Sequence, residues 1–130
     1  MYYLDTSFLI DLIKGNINAI SLHDSISDPI FVTGTINMHE FLVGAYGSHD
    51  PVTELKIRKK TLRKIIVLSF DEASAEISAQ IENILRKSGE LIGTADVLIA
   101  GIMKAHGVDT IITRNTKHLT KIEGLKVISY

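Results

Sequence analysis

Apolar positions along this chain follow two rhythms. Short unbroken runs occur at Tyr2 to Leu4, Ile30 to Val32, Ile65 to Leu68, Thr110 to Ile112 and Lys126 to Ile128. Runs of that length, mostly without polar alternation, predict strands covered on both faces. The stretches between them have helical length and spacing. Asp71 to Lys87 is the clearest: Ala73, Ile77, Ile81, Ile84 and Leu85 fall on one face, Glu76, Gln80, Glu82 and Lys87 elsewhere, and Ser88-Gly89 ends it. Ala95 to His106 is apolar almost all round, with Thr94 as its expected cap and Gly107 as its stop, and should be deeply packed. Thr6 to Ser27 reads as two helices broken at Gly15-Asn16, and Thr35 to Lys64 as two more broken near Gly47 to Pro51.

Strands alternating with helices predict an α/β fold of three layers, α/β/α, with a mainly parallel central sheet of about five strands. The 130 residues form one domain with no repeat or linker. In such sheets ligands bind beyond the carboxyl ends of the strands, where the strand order reverses. Asp5 and the segment Thr113-Arg114-Asn115 follow strands directly and are expected on that edge.

Composition narrows the chemistry. There are no cysteines, which excludes disulfides and thiolate metal sites and fits a cytoplasmic protein. A net charge of −1 gives no global attraction to nucleic acid, so such binding needs a local patch. The densest basic run is Lys56, Arg58, Lys59, Lys60, Arg63 and Lys64, which reads either as a solvated helix face or as a track for a phosphate backbone. The opening residues read straight into a strand, without a leader-like pattern. No apolar run approaches the ~20 residues of a membrane span, so no membrane association is expected.

Three carboxylates end or enter apolar segments: Asp5, Glu40 and Asp96. Each has an ordinary explanation alone. Asp5 suits a helix N-cap, Glu40 a solvated helix face, and Asp96 the favourable end of a helix dipole. Asn115 suits a turn, and Arg114 reads as solvated or as a phosphate ligand. Asp11 lies six residues beyond Asp5 and reads as a surface or supporting residue. Taken together, acids beside buried apolar surface need something to pair with, and one shared cation would serve all three.

The ordered set carries a resemblance. Leu4-Asp5-Thr6-Ser7-Phe8-Leu9-Ile10 is followed by Glu40-Phe41-Leu42-Val43-Gly44. Then come Asp96-Val97-Leu98-Ile99-Ala100 and Ile112-Thr113-Arg114-Asn115-Thr116-Lys117-His118-Leu119. This pattern resembles a PIN domain, and more narrowly the VapC toxins of toxin–antitoxin pairs. The resemblance implies a ribonuclease with a Mg²⁺- or Mn²⁺-dependent acidic pocket in which Asp5, Glu40 and Asp96 are the core acids. The fourth position of the pattern is Asn115, an amide without charge, which leaves one-metal and two-metal schemes open. Thr6 and Thr113 match positions that support metal or water.

All-oxygen donors suit Mg²⁺ or Mn²⁺ rather than zinc. Asp5 and Asp96 are expected as direct ligands, with Glu40 acting through water. Arg114, Lys59 and Lys60 are the candidates for substrate phosphate. The resemblance further implies an RNA substrate, a cognate antitoxin protein and a homodimer. A PIN-like binding module without catalysis is the competing reading, motivated by Asn115. A receiver-like phosphoacceptor lacks the lysine it needs after a late strand, and a haloacid-type phosphatase fails because position 7 is Ser.

Overall fold

The computed structural model describes residues 1–130. Five strands form one sheet: β1 (Tyr2–Leu4), β2 (Phe31–Gly34), β3 (Ile66–Leu68), β4 (Thr110–Ile112) and β5 (Lys126–Ile128). Their order is β3-β2-β1-β4-β5 and every pairing is parallel. β1 is central, and the chain winds one way to β2 and β3 and the other way to β4 and β5. The strand order therefore reverses at the β1–β4 pair, whose carboxyl edge is where such sheets bind ligands. Seven helices flank the sheet: α1 (Thr6–Ile13), α2 (Ile17–Ser25), α3 (Thr35–Tyr46), α4 (Pro51–Leu62), α5 (Glu72–Ser88), α6 (Thr94–Ala105) and α7 (Thr116–Leu119).

Neighbouring strand residues serve opposite layers. Tyr3, Val32 and Ile111 enter one core with Ile99, Ile102 and Met103 of α6 and Ile81 and Leu85 of α5. Leu4 and Ile112 enter the other, with Phe8 and Leu9 of α1, Phe41 of α3 and Leu62. This is the period-two consequence of the pleat, and it explains why the strands are apolar without alternation. The near-continuous apolar character of α6 is likewise explained: Val97 and all five residues from Ile99 to Met103 are buried.

Three expectations need correction. Thr94 does not cap α6; Gly93 holds that place and Thr94 is the first helical residue. The buried stripe of α5 is not the all-apolar one: Ala73 and Ile84 are exposed, and Ser74, Ser78, Ile81 and Leu85 are buried. The reason is the close crossing of α5 on α6. A Cβ at Gly101 would lie 2.6 Å from the Ser74 carbonyl oxygen and 2.8 Å from Ser78 Cβ, so small residues must meet there. Third, Arg58 is no part of a solvated basic face. It is buried, its Nη1 donates to the Phe41 carbonyl at 2.7 Å, its Nε meets Glu54 Oε2 at 3.3 Å, and its guanidinium lies 4.9 Å over the Phe41 ring.

Gly34, at the end of β2, is a close-approach residue. A Cβ there would lie 2.1 Å from the Tyr3 hydroxyl and 2.9 Å from Ile102 Cδ1. Gly34→Ala is expected to lower stability by about 1–3 kcal/mol through overpacking. Urea denaturation of the two proteins measures it.

Candidate active site

The first turn after β1 sets the geometry. Asp5 occupies the N-cap place of α1, yet its carboxylate does not cap that helix. It turns across the sheet edge instead. Its Oδ2 accepts from Thr113 Oγ1 at 2.6 Å and from Ser7 Oγ at 3.3 Å, and its Oδ1 accepts from Asn37 Nδ2 at 3.0 Å. Thr113 follows β4 and is fully buried, so the two central strands deliver partner and acid to one point. The N-cap explanation of Asp5 is thereby removed.

Asn37, in the first turn of α3, is buried and links the acids. A carboxylate can only accept, so the Asn37 amide must present its NH₂ to Asp5. Its Oδ1 then accepts from the Tyr3 hydroxyl at 2.6 Å. Nδ2 also donates to Thr6 Oγ1 at 3.1 Å, and Thr6 Oγ1 donates to Glu40 Oε1 at 2.7 Å. A directed chain thus runs from Tyr3 through Asn37 and Thr6 to Glu40, every proton pointing towards an acid. Burial first, then the charges of Asp5 and Glu40, push the Tyr3 phenol up and keep it a donor.

Asp96 lies in the first turn of α6, half-buried, and near enough for its charge to act on Asp5. Burial raises the Asp5 carboxyl above the ordinary aspartate value, Thr113 opposes this, and the Asp96 charge adds to the rise. The two carboxylates therefore feel each other. Asp96 has its own neighbour, His118 of α7, with Nδ1 3.0 Å from Asp96 Oδ2. No ion pair reaches Asp5.

The remaining expected residues are placed as follows. Asn115 caps α7 without a side-chain bond; its backbone N–H donates to Thr113 Oγ1 at 3.0 Å and its side chain is exposed. Arg114 is not free in solvent: its Nη1 meets both oxygens of Asp11, at 3.1 and 3.2 Å. Asp11 itself is buried, so of its two readings, surface or supporting, the structure excludes the first. Lys59 lies on α4 beside Met38 and Val67, two residues and so about 200° round α3 from Glu40. Lys60 is exposed on the same helix.

Four contributors went unread in the sequence: Tyr3, Ser7, Asn37 and His118. Tyr3 stands two residues before Asp5, hence on the same strand face, and Asn37 stands three before Glu40, hence on the same helix side. Those spacings were available signals. The contacts of Ser7 with Thr113 and of His118 with Asp96 join residues more than twenty positions apart and had no local signal.

The donor set fits a hard divalent cation. It is all oxygen, Asp5 lacks a cationic partner, and its carboxyl is strained towards protonation by burial and by Asp96. No three acidic or histidine side chains form a ready-made ligand shell. Asp96 acts on Asp5 through its charge, and Glu40 connects to Asp5 through Thr6 and Asn37.

Acids gathered at the strand-order reversal of a parallel sheet, with hydroxyls and an amide beside them, define a class of α/β domain with an acidic edge. The chain belongs to the PIN domain family, whose family model matches residues 2–125. It is VapC-like. It is 27% identical over 125 residues to the "tRNA(fMet)-specific endonuclease VapC" of Shigella flexneri, covering 96% of this chain and 94% of that one. Among solved structures it resembles a chain of the DNA-bound VapBC of Salmonella typhimurium, with a TM-score of 0.88, 25% identity and coverage of 98% and 96% of the two chains. It also resembles a chain of VapBC-1 from nontypeable Haemophilus influenzae, with a TM-score of 0.85, 27% identity and the same coverages.

The raised Asp5 carboxyl has a stability consequence. The folded state binds that proton more tightly than the unfolded chain does. Its contribution is fully present below the ordinary aspartate value and is lost as pH rises through the raised one. Metal-free protein is expected to lose stability as pH climbs above about 4, and Mn²⁺ to restore it near neutrality. Thermal unfolding across pH, with and without Mn²⁺, checks this; Asp5→Asn should flatten the profile and abolish the Mn²⁺ effect.

Proposed function

We propose that this protein is a divalent-metal-dependent endoribonuclease and the toxin of a toxin–antitoxin pair. The observation that carries the reading is the meeting of Asp5 and Glu40 on one hydrogen-bonded chain, with Asp96 charge-coupled to Asp5. The endonuclease name of the Shigella relative supports it.

Asp5 and Asp96 would hold Mg²⁺ or Mn²⁺. Bound there, the cation supplies a Lewis acid for a phosphodiester and an acidified water. Glu40 orients a water in front of the cleft, its carboxylate fixed by Thr6. Thr113 and Asn37 hold Asp5 from two sides, so its oxygens keep one direction. Cleavage of this kind leaves a 5′ phosphate and a 3′ hydroxyl and makes no use of the 2′ hydroxyl. Arg114 lies one residue from Thr113 and is the phosphate candidate at the cleft. Lys59 and Lys60 would meet RNA only further along its backbone.

The solved relatives are toxin–antitoxin complexes, which supports a cognate antitoxin for this chain. Exposed Val43 and Tyr46 on α3 and Val52 on α4 support a homodimer through those helices. No helix is long and apolar enough to cross a membrane. A binding module without catalysis is the second reading, favoured by Asn115, whose exposed amide adds no charge to the cleft.

The deciding experiment incubates the purified chain with bulk tRNA and Mg²⁺ or Mn²⁺, then maps the ends. Cleavage that EDTA stops, with Asp5→Asn, Glu40→Gln and Asp96→Asn each at least about 100-fold slower, is the expected outcome. Isothermal titration should also show weaker Mn²⁺ binding by Asp96→Asn. RNA binding without cleavage under every metal would favour the module instead.

A further inference from the structure

Asp11, Arg114 and Tyr130 come from three distant parts of the chain and meet at the edge of the acid cleft. Asp11 is on α1, Arg114 is in the segment after β4, and Tyr130 lies two residues past β5. Tyr130 Oη donates to Asp11 Oδ2 at 2.5 Å, and its ring packs edge-on against Phe8 at 5.0 Å between centroids. Arg114 Nη1 donates to Asp11 Oδ1 and Oδ2 at 3.1 and 3.2 Å. The backbone N–H of Arg114 donates to Ser7 Oγ at 3.1 Å, and Ser7 Oγ donates to Asp5 Oδ2. Arg114 is therefore fixed at both ends, its main chain one hydroxyl away from Asp5.

The way the guanidinium is held is informative. Both oxygens of Asp11 are spent on one nitrogen, Nη1. The Nε–H and both protons of Nη2 have no partner in the protein, and the side chain remains 62% exposed. Arginine–carboxylate pairs frequently use two guanidinium nitrogens against two oxygens, the parallel fork. Here the fork faces outward. Three donors in one plane are left free, in the geometry that grips two oxygens of a phosphate. The Asp11 side chain is only 8% exposed while that of Arg114 is open, so the anchor is inside and the working end is outside.

We propose that Arg114 binds a phosphate of the RNA beside the scissile bond, and that Asp11 and Tyr130 are positioning residues that aim it. The inference rests on the nuclease reading above and names the residues that seat its substrate. Tyr130 holds one lone pair of Asp11 and keeps the carboxylate plane fixed. Asp11 holds Nη1. The free edge of Arg114 then points outward from the segment that also carries Thr113, at a set place relative to Asp5. A phosphate arriving there would not have to order a flexible side chain, and that entropy saving appears in substrate binding rather than in the chemical step.

The competing expectation from charge alone has the opposite sign. Asp11 is a negative group near the cleft, so removing its charge should tighten RNA binding if it acts only as a charge. If it acts by aiming Arg114, removing it should weaken binding. The experiment measures binding of a fluorescein-labelled 15-nucleotide oligoribonucleotide by anisotropy, with Ca²⁺ in place of Mg²⁺ and over a range of salt. Arg114→Gln is expected to weaken binding about tenfold and reduce the salt slope by about 0.7, the value of one phosphate on a single strand. Asp11→Asn and Tyr130→Phe are expected to weaken it about two- to fivefold without changing that slope. Tyr130→Phe keeps the ring on Phe8, so it tests the hydroxyl alone should Asp11→Asn fold poorly; circular dichroism and thermal midpoints accompany each variant. In cleavage of bulk tRNA with Mg²⁺, all three should raise KM and leave kcat within about twofold. Tighter binding by Asp11→Asn, or unchanged binding by Arg114→Gln in a chain that still cleaves RNA, overturns the proposal and leaves the nuclease reading standing. A wild-type chain that neither binds nor cleaves RNA overturns both.

Discussion

The structure depends on how one aspartate is kept beside apolar strand ends without a positive charge. Asp5 follows the central strand, and Leu4 before it and Phe8 and Leu9 after it are all buried. A carboxylate in that place needs compensation, and the fold supplies three neutral donors: Thr113, Asn37 and Ser7. Neutral donors satisfy lone pairs but do not cancel charge. The remaining electrostatic demand is expressed in the raised Asp5 carboxyl and in its coupling to Asp96. Much of the local sequence answers to this arrangement. Gly34 makes room for Tyr3, Tyr3 turns Asn37, and Asn37 points its NH₂ at Asp5 and Thr6.

Topology turns that local arrangement into a cleft. The order β3-β2-β1-β4-β5 sends α1 and α6 to opposite sides of the sheet, as the two cores record. The first turns of α1, α3 and α6 all begin near the same carboxyl edge. Asp5 with Thr6 and Asp96 come from the openings of α1 and α6, and Asn37 and Glu40 from the first and second turns of α3. Helix N-termini carry partial positive charge, which lowers the cost of gathering acids there.

Much of this was legible in the sequence, for identifiable reasons. The strands could be read because both faces are covered, which makes Thr110-Ile111-Ile112 and its counterparts apolar without gaps. The acids could be read because each sits against such a run. The α5 face was misread because its contact with α6 is built from Ser74, Ser78 and Gly101, and a period search for large apolar residues is blind to a close crossing of small ones. Arg58 was misread within a basic run because its burial depends on the Phe41 carbonyl and ring seventeen residues away. Asp11 could be read only as surface or supporting because its partners, Arg114 and Tyr130, lie more than a hundred positions along the chain. What was missed is what only tertiary pairing decides.

Asp5 precedes α1 and Asp11 lies within it, and their charges are answered differently. Both are buried or partly so, and both accept from hydroxyls. Asp11 also receives a guanidinium, and its charge is answered within the chain. Asp5 is given no cation, although Arg114 is anchored by its backbone to Ser7, a residue that touches Asp5 directly. The side chain of Arg114 turns away to Asp11 instead. A fold selected only for stability would bring that cation to the more frustrated acid, since an arginine paired with a carboxylate lowers its pKa and removes the penalty. Sending Arg114 to Asp11 leaves Asp5, with Asp96, as the pair that a divalent ion would relieve most. The same choice spares three donors of Arg114 for a phosphate. On the proposed nuclease reading, one side-chain direction would serve both the acids that hold the metal and the phosphate.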